Sequence, residues 1–238
     1  MMSEGSNLLS GSIDIARYVD NVTHQMKTPI TVIKTYLELM EAELYGPIDP
    51  RLSSKIDLIS TNMDEIHYFL EQMNDVILMA TMEKDPEPDH HDISETLDRA
   101  LNDIGPIAVE KGISIRKETM DGGIQALHHG HWTRRALCNV LRFIMIVCPT
   151  GISIGTSIER SGGKVSVKII AGGMEDIDME QMTDSMSRKE GAGSTLDWER
   201  FSLPIARNIM RSQGADLAVL RENDEVIGLS VDIPEKQT

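Results

Sequence analysis

Aromatic residues are scarce in this sequence, with three Phe, four Tyr and two Trp among 238 residues. A chain so poor in rings has few platforms on which bases can stack. Cysteine is scarcer still: Cys138 and Cys148 are the only two, and they form no CxxC pair. That excludes a disulfide framework and the common structural zinc sites, and it fits thiols kept reduced in a cytosol. Basic residues are in deficit, with 23 Lys and Arg against 38 Asp and Glu, a net charge of −15. Such a chain repels phosphate backbones instead of releasing their counterions, so no nucleic-acid partner is expected. No apolar run approaches the roughly 18 residues of a membrane span. The N-terminus lacks a basic segment leading into an apolar one, so it does not read as a signal peptide. The expectation is a soluble, cytoplasmic chain with no membrane segment. Its hydrophobic content of 40% suffices for a core, and its fifteen Met suit adaptable helix packing.

The apolar residues recur with helical spacing in the first third. Ile15, Val19, Val22, Met26, Ile30, Ile33, Leu37, Met40 and Leu44 follow steps of three and four, which predicts one amphipathic helix. Gly46, Pro47 and Pro50 interrupt it. A second stripe runs through Leu52, Ile56, Ile59, Met63, Ile66, Leu70, Met73, Ile77 and Ala80 in a heptad-like pattern. Two long helices joined by a short turn make an antiparallel hairpin. A hairpin of this kind does not bury both stripes alone, so pairing with a second copy into a four-helix bundle is expected. Packing of the hairpin on the rest of the chain is the alternative.

Charges and prolines around Glu83–Asp89 mark a linker. The division expected is residues 1–86 as a helical hairpin and 87–238 as a separate domain. In the second part the pattern predicts helices over Ile93–Val109, Trp132–Cys148 and Leu203–Ser212. Strands are predicted near Ile113–Arg116, Ile152–Ile158, Val165–Ile170, Leu217–Leu220 and Ile227–Ile233. This is an α+β sandwich with helices on one face of a sheet. His90, His91, His128, His129 and His131 read as solvated loop histidines and not as a zinc site, because no helical His-x3-His spacing is present. Met174, Met179, Met182 and Met186 fall in a polar, loop-like stretch. Trp132 and Trp198 read as packing anchors and Cys138 as a core residue.

The stretch Thr23-His24-Gln25-Met26-Lys27-Thr28-Pro29 lies inside the first helix. His24 falls between stripe positions Val22 and Met26, so it projects from the flank of the bundle. Pro29 removes a backbone donor one turn later. A solvent-facing imidazole is a nucleophile able to accept and pass on a phosphoryl group. A plain surface histidine is the competing reading, and spacing alone favours it.

Thr23 to Ile30, followed by Tyr36-Leu37-Glu38-Leu39, resembles the H-box of sensor histidine kinases. The hairpin resembles their dimerisation and histidine-phosphotransfer domain, and the α/β part resembles their GHKL-type ATP-binding domain. The resemblance covers nearly the whole chain and is most specific in the H-box. It implies that His24 is the phospho-acceptor and that Thr28 matches the residue positioning water for dephosphorylation. Lys27 would neutralise charge on the transferred group. Met26, Ile30 and Ile33 would form the docking surface for a response-regulator receiver domain.

The sequence also departs from the family. An acidic residue usually follows the phospho-acceptor; here it is Gln25, which hydrogen-bonds but is no base. Asn139 matches the first asparagine of the family's nucleotide helix, but the magnesium-binding asparagine falls on Phe143 and the basic residue on Ile146. No aspartate falls at the expected place in Ile169-Ile170-Ala171-Gly172-Gly173-Met174, and Asp176 comes too late. The glycine-rich turn becomes Arg200-Phe201-Ser202-Leu203, and Gly191-Ala192-Gly193 is a weak substitute. From these three losses the expectation is no cofactor, with neither ATP nor magnesium bound and no other metal. The function expected is a phosphorelay histidine phosphotransferase, homodimeric, exchanging phosphoryl groups with a receiver aspartate. The alternatives are an active sensor kinase fragment and a non-catalytic scaffold that binds a regulator.

Overall fold

The computed structural model describes residues 4–81, 87–118, 123–174 and 199–235. The chain divides into two compact units, Met1–Glu83 and Lys84–Thr238. The first holds two helices, α1 (Glu4–Glu41) and α2 (Pro50–Thr81). Pro29 lies within α1 without ending it. Pro50 opens α2, where a missing N–H costs nothing. In the turn between the helices, Glu43 and Gly46 both take positive φ. Asp49 closes it by accepting a hydrogen bond from the Arg51 amide at 2.8 Å.

The helices pair through Ile30 and Leu37 of α1 and Ile56 and Leu70 of α2, all buried. Their antiparallel register is marked by two ion pairs, Lys27 with Glu71 at 4.0 Å and Lys34 with Asp64 at 2.5 Å. Each step of seven residues up α1 is matched by seven down α2. Only part of the apolar stripe is covered, since Met26, Ile33 and Met40 of α1, Leu44 of the turn, and Leu52, Ile59 and Ile66 of α2 stay exposed.

The second unit contains β1 (Asp89–Asp92), α3 (Ile93–Glu110), β2 (Ser114–Lys117), β3 (Gln125–His128), α4 (Gly130–Val147), β4 (Ser153–Ser161), β5 (Lys164–Ala171), α5 (Glu199–Arg211), β6 (Asp216–Glu222) and β7 (Glu225–Pro234). Five strands form a sheet in the order β2-β4-β5-β7-β6, with β2 and β4 parallel and the other neighbours antiparallel. β1 and β3 form a separate antiparallel pair. Alternation fixes the faces. Ile154, Ile158, Val167, Ile169, Leu229 and Val231 are buried on one face, while their neighbours Ser157, Ser166, Lys168 and Asp232 are on the other. The helices supply the rest of the core through Leu97, Ile104, Leu137, Leu141, Phe143, Leu203 and Ile209, all fully buried. Gly162 and Gly163 both take positive φ in the β4–β5 turn, as a two-residue hairpin of the primed type demands. The unit is thus a mixed α+β domain with helices on one sheet face.

Two expectations change here. The Glu83–Asp89 linker gives way to a strand at Asp89. His90 and His91 lie on β1 and His128 on β3, where solvated loops were expected. Asp92 caps α3, accepting from the Ser94 amide at 2.8 Å. Asp176, Met179, Met182, Met186, the Gly191-Ala192-Gly193 stretch and Trp198 lie outside the described residues.

Candidate functional site

Helix geometry sorts the H-box residues by face, since each residue turns about 100°. Lys27 and Thr28 lie within about 60° of His24, and Thr31 and Thr35 within about 20°. Met26 is about 160° away and Ile33 about 180° away, on the opposite side of α1. The two ion pairs place Lys27 and Lys34, and with them the flank that bears His24, against Glu71 and Asp64 of α2. The hairpin therefore has one ionic flank carrying His24 and one apolar flank carrying Met26 and Ile33.

His24, Gln25 and Thr28 are exposed, and Lys27 is half-buried. The His24 ring is open to an incoming group, as its flank position implies. The Thr28 hydroxyl points back along the helix toward the His24 carbonyl, 3.5 Å away. Thr31 and Thr35 donate to the Lys27 and Thr31 carbonyls at 2.9 and 3.0 Å. Pro29 leaves the Gln25 carbonyl without its usual intrahelical donor, one turn from His24. Thr23, immediately before the acceptor, turns inward and is 3% exposed. Lys27 Nζ is 4.0 Å from Glu71 Oε1, and His67 Nε2 is 3.7 Å from the same oxygen.

Met26, Ile30 and Ile33, the residues expected to form the docking surface, do not share the His24 face. Ile30 is 7% exposed, seated against α2, while Met26 and Ile33, at 44% and 43%, face away from His24. The stripe that packs the helices had been read as the surface that greets a partner. The exposed residues that do share the His24 face are Thr28, Thr31, Val32 and Thr35. Their signal was present in the sequence as positions four, seven, eight and eleven after His24.

In the second unit, Asn139 of α4 is buried and Phe143, one turn on, is fully buried within the helical layer. Ile146 is half-buried. Magnesium demands oxygen ligands, and positions 143 and 146 do not supply them. At the end of β5, Ala171 is buried. Gly173 takes φ +86 with its Cα against Pro149, so that a side chain there would strike the proline ring. Arg200 to Leu203 form the first turns of α5, with Ser202 and Leu203 buried.

Of the histidines on the β1–β3 pair, His90 and His91 are exposed and only His128 is enclosed. His128 is fully buried, its Nδ1 3.1 Å from the Ala126 carbonyl and its Nε2 3.0 Å from Thr96 Oγ1. Burial pushes its pKa down to about 4. The His91 ring meets it edge-on at 5.5 Å. No group of three or more His, Cys, Asp or Glu among the described residues is arranged to hold a metal. Cys138 is half-buried and its thiol is pushed up to about 12, chiefly by burial and then by the Asp103 carboxylate, so it is no nucleophile.

Residues 15–85 match the His Kinase A (phospho-acceptor) domain family. Over 209 residues the chain is 18% identical to the histidine protein kinase DivJ of Caulobacter vibrioides, a match covering 86% of this chain and 34% of that protein. The chain thus spans about a third of the length of this curated relative. Among solved structures, full-length ShkA in complex with AMPPNP is 17% identical, with a TM-score of 0.61 over 92% of this chain and 45% of that one. The Acinetobacter baumannii histidine kinase AdeS is 13% identical, with a TM-score of 0.57 over 90% of this chain and 98% of that one. A nucleotide-free catalytic domain of the histidine kinase ThkA is 15% identical, with a TM-score of 0.52 over 63% and 97%.

These neighbours overturn the expectation that the chain takes no cofactor. The second unit has the fold of histidine kinase catalytic domains, and ShkA, matched across most of this chain, carries an ATP analogue. The losses at Phe143 and Ile146 had been read as loss of the ligand, yet side-chain changes at single positions leave the fold that cradles it in place. Residues 15–85 thus match a phospho-acceptor domain family, and the second unit shares the fold of histidine kinase catalytic domains.

Proposed function

We propose that this chain is a two-component phosphotransfer protein in which His24 exchanges a phosphoryl group with the aspartate of a response-regulator receiver domain. The observation that carries this reading is the exposed His24 on the ionic flank, with Lys27 and Thr28 on the same face and the apolar flank turned away. In transfer from a receiver, the His24 ring nitrogen gives its lone pair to phosphorus, the acyl-phosphate P–O bond breaks, and the aspartate leaves as carboxylate. The reverse step rebuilds the acyl phosphate. Lys27 offsets charge on the moving group. Thr28, one turn beyond, presents a hydroxyl at the edge of the reacting group. Thr28, Thr31, Val32 and Thr35 form the surface the receiver meets, a small-residue face that lets two backbones approach. The apolar flank is the seam of a homodimer. The protein works in the cytoplasm; no helix among the described residues is long and apolar enough to cross a membrane.

A second reading is favoured by the fold of the second unit and by the AMPPNP complex of ShkA. In it the chain is an ATP-dependent histidine kinase. ATP bound in the second unit would supply the phosphoryl group for His24.

One experiment separates the two. A panel of receiver domains charged with acetyl phosphate is mixed with the chain, and in parallel the chain is given radiolabelled ATP and magnesium. The phosphotransfer reading expects label on His24 from at least one receiver and none on His24→Ala. No transfer to wild type, or equal transfer to His24→Ala, refutes it. Label on His24 from ATP alone selects the kinase.

A further inference from the structure

With Gln25 in the position of the usual carboxylate, the basic residue nearest His24 along α1 is Lys27. Its Cβ sits about 5–6 Å from that of His24, the ordinary separation of residues three apart on a helix. The partner of Lys27 comes from the other helix. Glu71 Oε1 is 4.0 Å from Lys27 Nζ and 3.7 Å from His67 Nε2, beyond hydrogen-bond distance from both. One turn pair further down, Lys34 and Asp64 are closed to 2.5 Å. The ion pair beside the acceptor is therefore loose, while the one away from it is tight. Lys27 and Glu71 are each about one-third exposed at 33%, so water screens the pair without dissolving it.

We propose that Glu71 is a positioning residue of the phospho-acceptor site. It holds the Lys27 ammonium in the groove between the helices and yields it when a phosphoryl group sits on His24. This rests on His24 being the phospho-acceptor. A phosphoryl group carries nearly two negative charges against one on Glu71, and the four-carbon stem of lysine is flexible enough to swing between them. The competition weakens the hold of Lys27 on the phosphoryl group, so that the group is stabilised on His24 without being trapped there. His67 stays beside Glu71 when Lys27 departs. A closed pair like Lys34–Asp64 at this position would hold Lys27 back, and no pair at all would leave Lys27 permanently on the phosphoryl group.

The test uses the full chain and phosphoramidate as donor. The His24 ring nitrogen attacks phosphorus, the phosphoramidate P–N bond breaks, and its nitrogen leaves as ammonia. Phosphorus NMR then follows the chemical shift of the His24 phosphoryl group against pH in wild type, Glu71→Gln, Lys27→Met and the double variant. Glu71→Gln keeps the shape and removes the charge. It is expected to lower the titration midpoint by about half a pH unit, the size of a screened surface pair. In the Lys27→Met background the same substitution is expected to have little effect. Equal shifts in both backgrounds, or no shift in either, overturn the proposal while leaving His24 labelled. Absence of label on wild type, or equal label on His24→Ala, overturns the phospho-acceptor reading itself and the proposal with it.

Discussion

The two units treat their apolar residues in opposite ways. In the second unit, Val109 and Ile170 are the only large hydrophobics exposed among the described residues. Leu97, Ile104, Leu137, Leu141, Phe143, Leu203 and Ile209 are fully buried there. In the hairpin, Met26, Ile33, Met40, Leu44, Leu52, Ile59 and Ile66 stand open along one flank. Two helices give each other one line of contact, and a wider stripe needs a second surface. The second unit is a finished core, whereas the hairpin is half of one. The exposed apolar residues Met26 and Ile33 and the exposed His24 lie on opposite sides of α1.

The largest effect is expected from attacking the open flank. Ile33→Asp with Ile59→Asp puts charge into the seam of the proposed bundle, at a cost of about 3 kcal/mol or more per site. Light scattering should show a dimer for wild type and a monomer for the variant, with loss of helical circular dichroism. The fluorescence of Trp132, buried in the second unit, should be unchanged. A wild-type monomer at tens of micromolar, an order-of-magnitude dimer concentration for a modest interface, would remove the dimer from the account.

The converse attack is on the closed core. Phe143→Ala leaves a hole in the helical layer and should cost about 3–5 kcal/mol in urea unfolding followed through Trp132. Phosphoryl uptake by His24 from phosphoramidate should persist. Phe143→Asn, which restores an oxygen at the position where the family places its magnesium ligand, should be destabilised by about as much, since a buried amide without partners is costly. Parity with wild type would mean that this helix is less tightly enclosed than its burial indicates.

The comparison also shows what can be read from sequence. The long helices were legible because steps of three and four persist for many turns, and the H-box was legible because His24, Lys27, Thr28 and Pro29 form a compact pattern. The strands β4, β5 and β7 were legible from alternation. β1 and β3 were not, because Asp89-His90-His91-Asp92 and Gln125-Ala126-Leu127-His128 carry almost no apolar alternation and gain their strand form only by pairing with each other. Met26, Ile30 and Ile33 read as one apolar stripe, yet Ile30 packs on α2, and the exposed residues beside His24, Thr28, Thr31, Val32 and Thr35, have no hydrophobic signature as a set. The fate of the ATP site could not be read from single positions, because the fold that forms it is carried by many residues of ordinary type.

The buried histidine of the second unit gives an intermediate effect that the hairpin lacks. His128 keeps its neutral form when folded, with a pKa near 4 against 6.5 for an unfolded histidine. Its stabilising contribution is therefore fully present above pH 6.5 and is lost as pH falls toward 4, reaching about 2 kcal/mol lost at pH 5 and ~3 at pH 4. The chemistry of its bonds agrees. Nδ1–H donates to the Ala126 carbonyl, so in the neutral ring Nε2 is an acceptor facing the Thr96 hydroxyl, whose one proton it shares with the Asp92 carbonyl at 3.1 Å. Urea unfolding of the chain at pH 7 and pH 5, compared with His128→Gln, should show the variant less stable at pH 7 and less sensitive to acid. Equal acid sensitivity would assign the loss to other groups.

The smallest effect tests whether the two units also differ in how their surfaces hold charge. Arg134 of α4 grips Asp103 of α3 with two hydrogen bonds, at 2.6 and 2.7 Å. Lys34 and Asp64 of the hairpin share one, at 2.5 Å. Both pairs are solvent-exposed, so neither is worth much, and geometry decides between them. The planar guanidinium is pre-organised for two oxygens and loses less freedom per bond than the lysine stem. Asp103→Asn should cost about 1 kcal/mol and Asp64→Asn only a few tenths. Added salt should erase the second before the first, because a single exposed contact is screened more readily than a fixed fork. If Asp64→Asn proves the costlier, the hairpin depends on its ionic flank for register. The apolar seam alone would then not be what aligns α1 with α2.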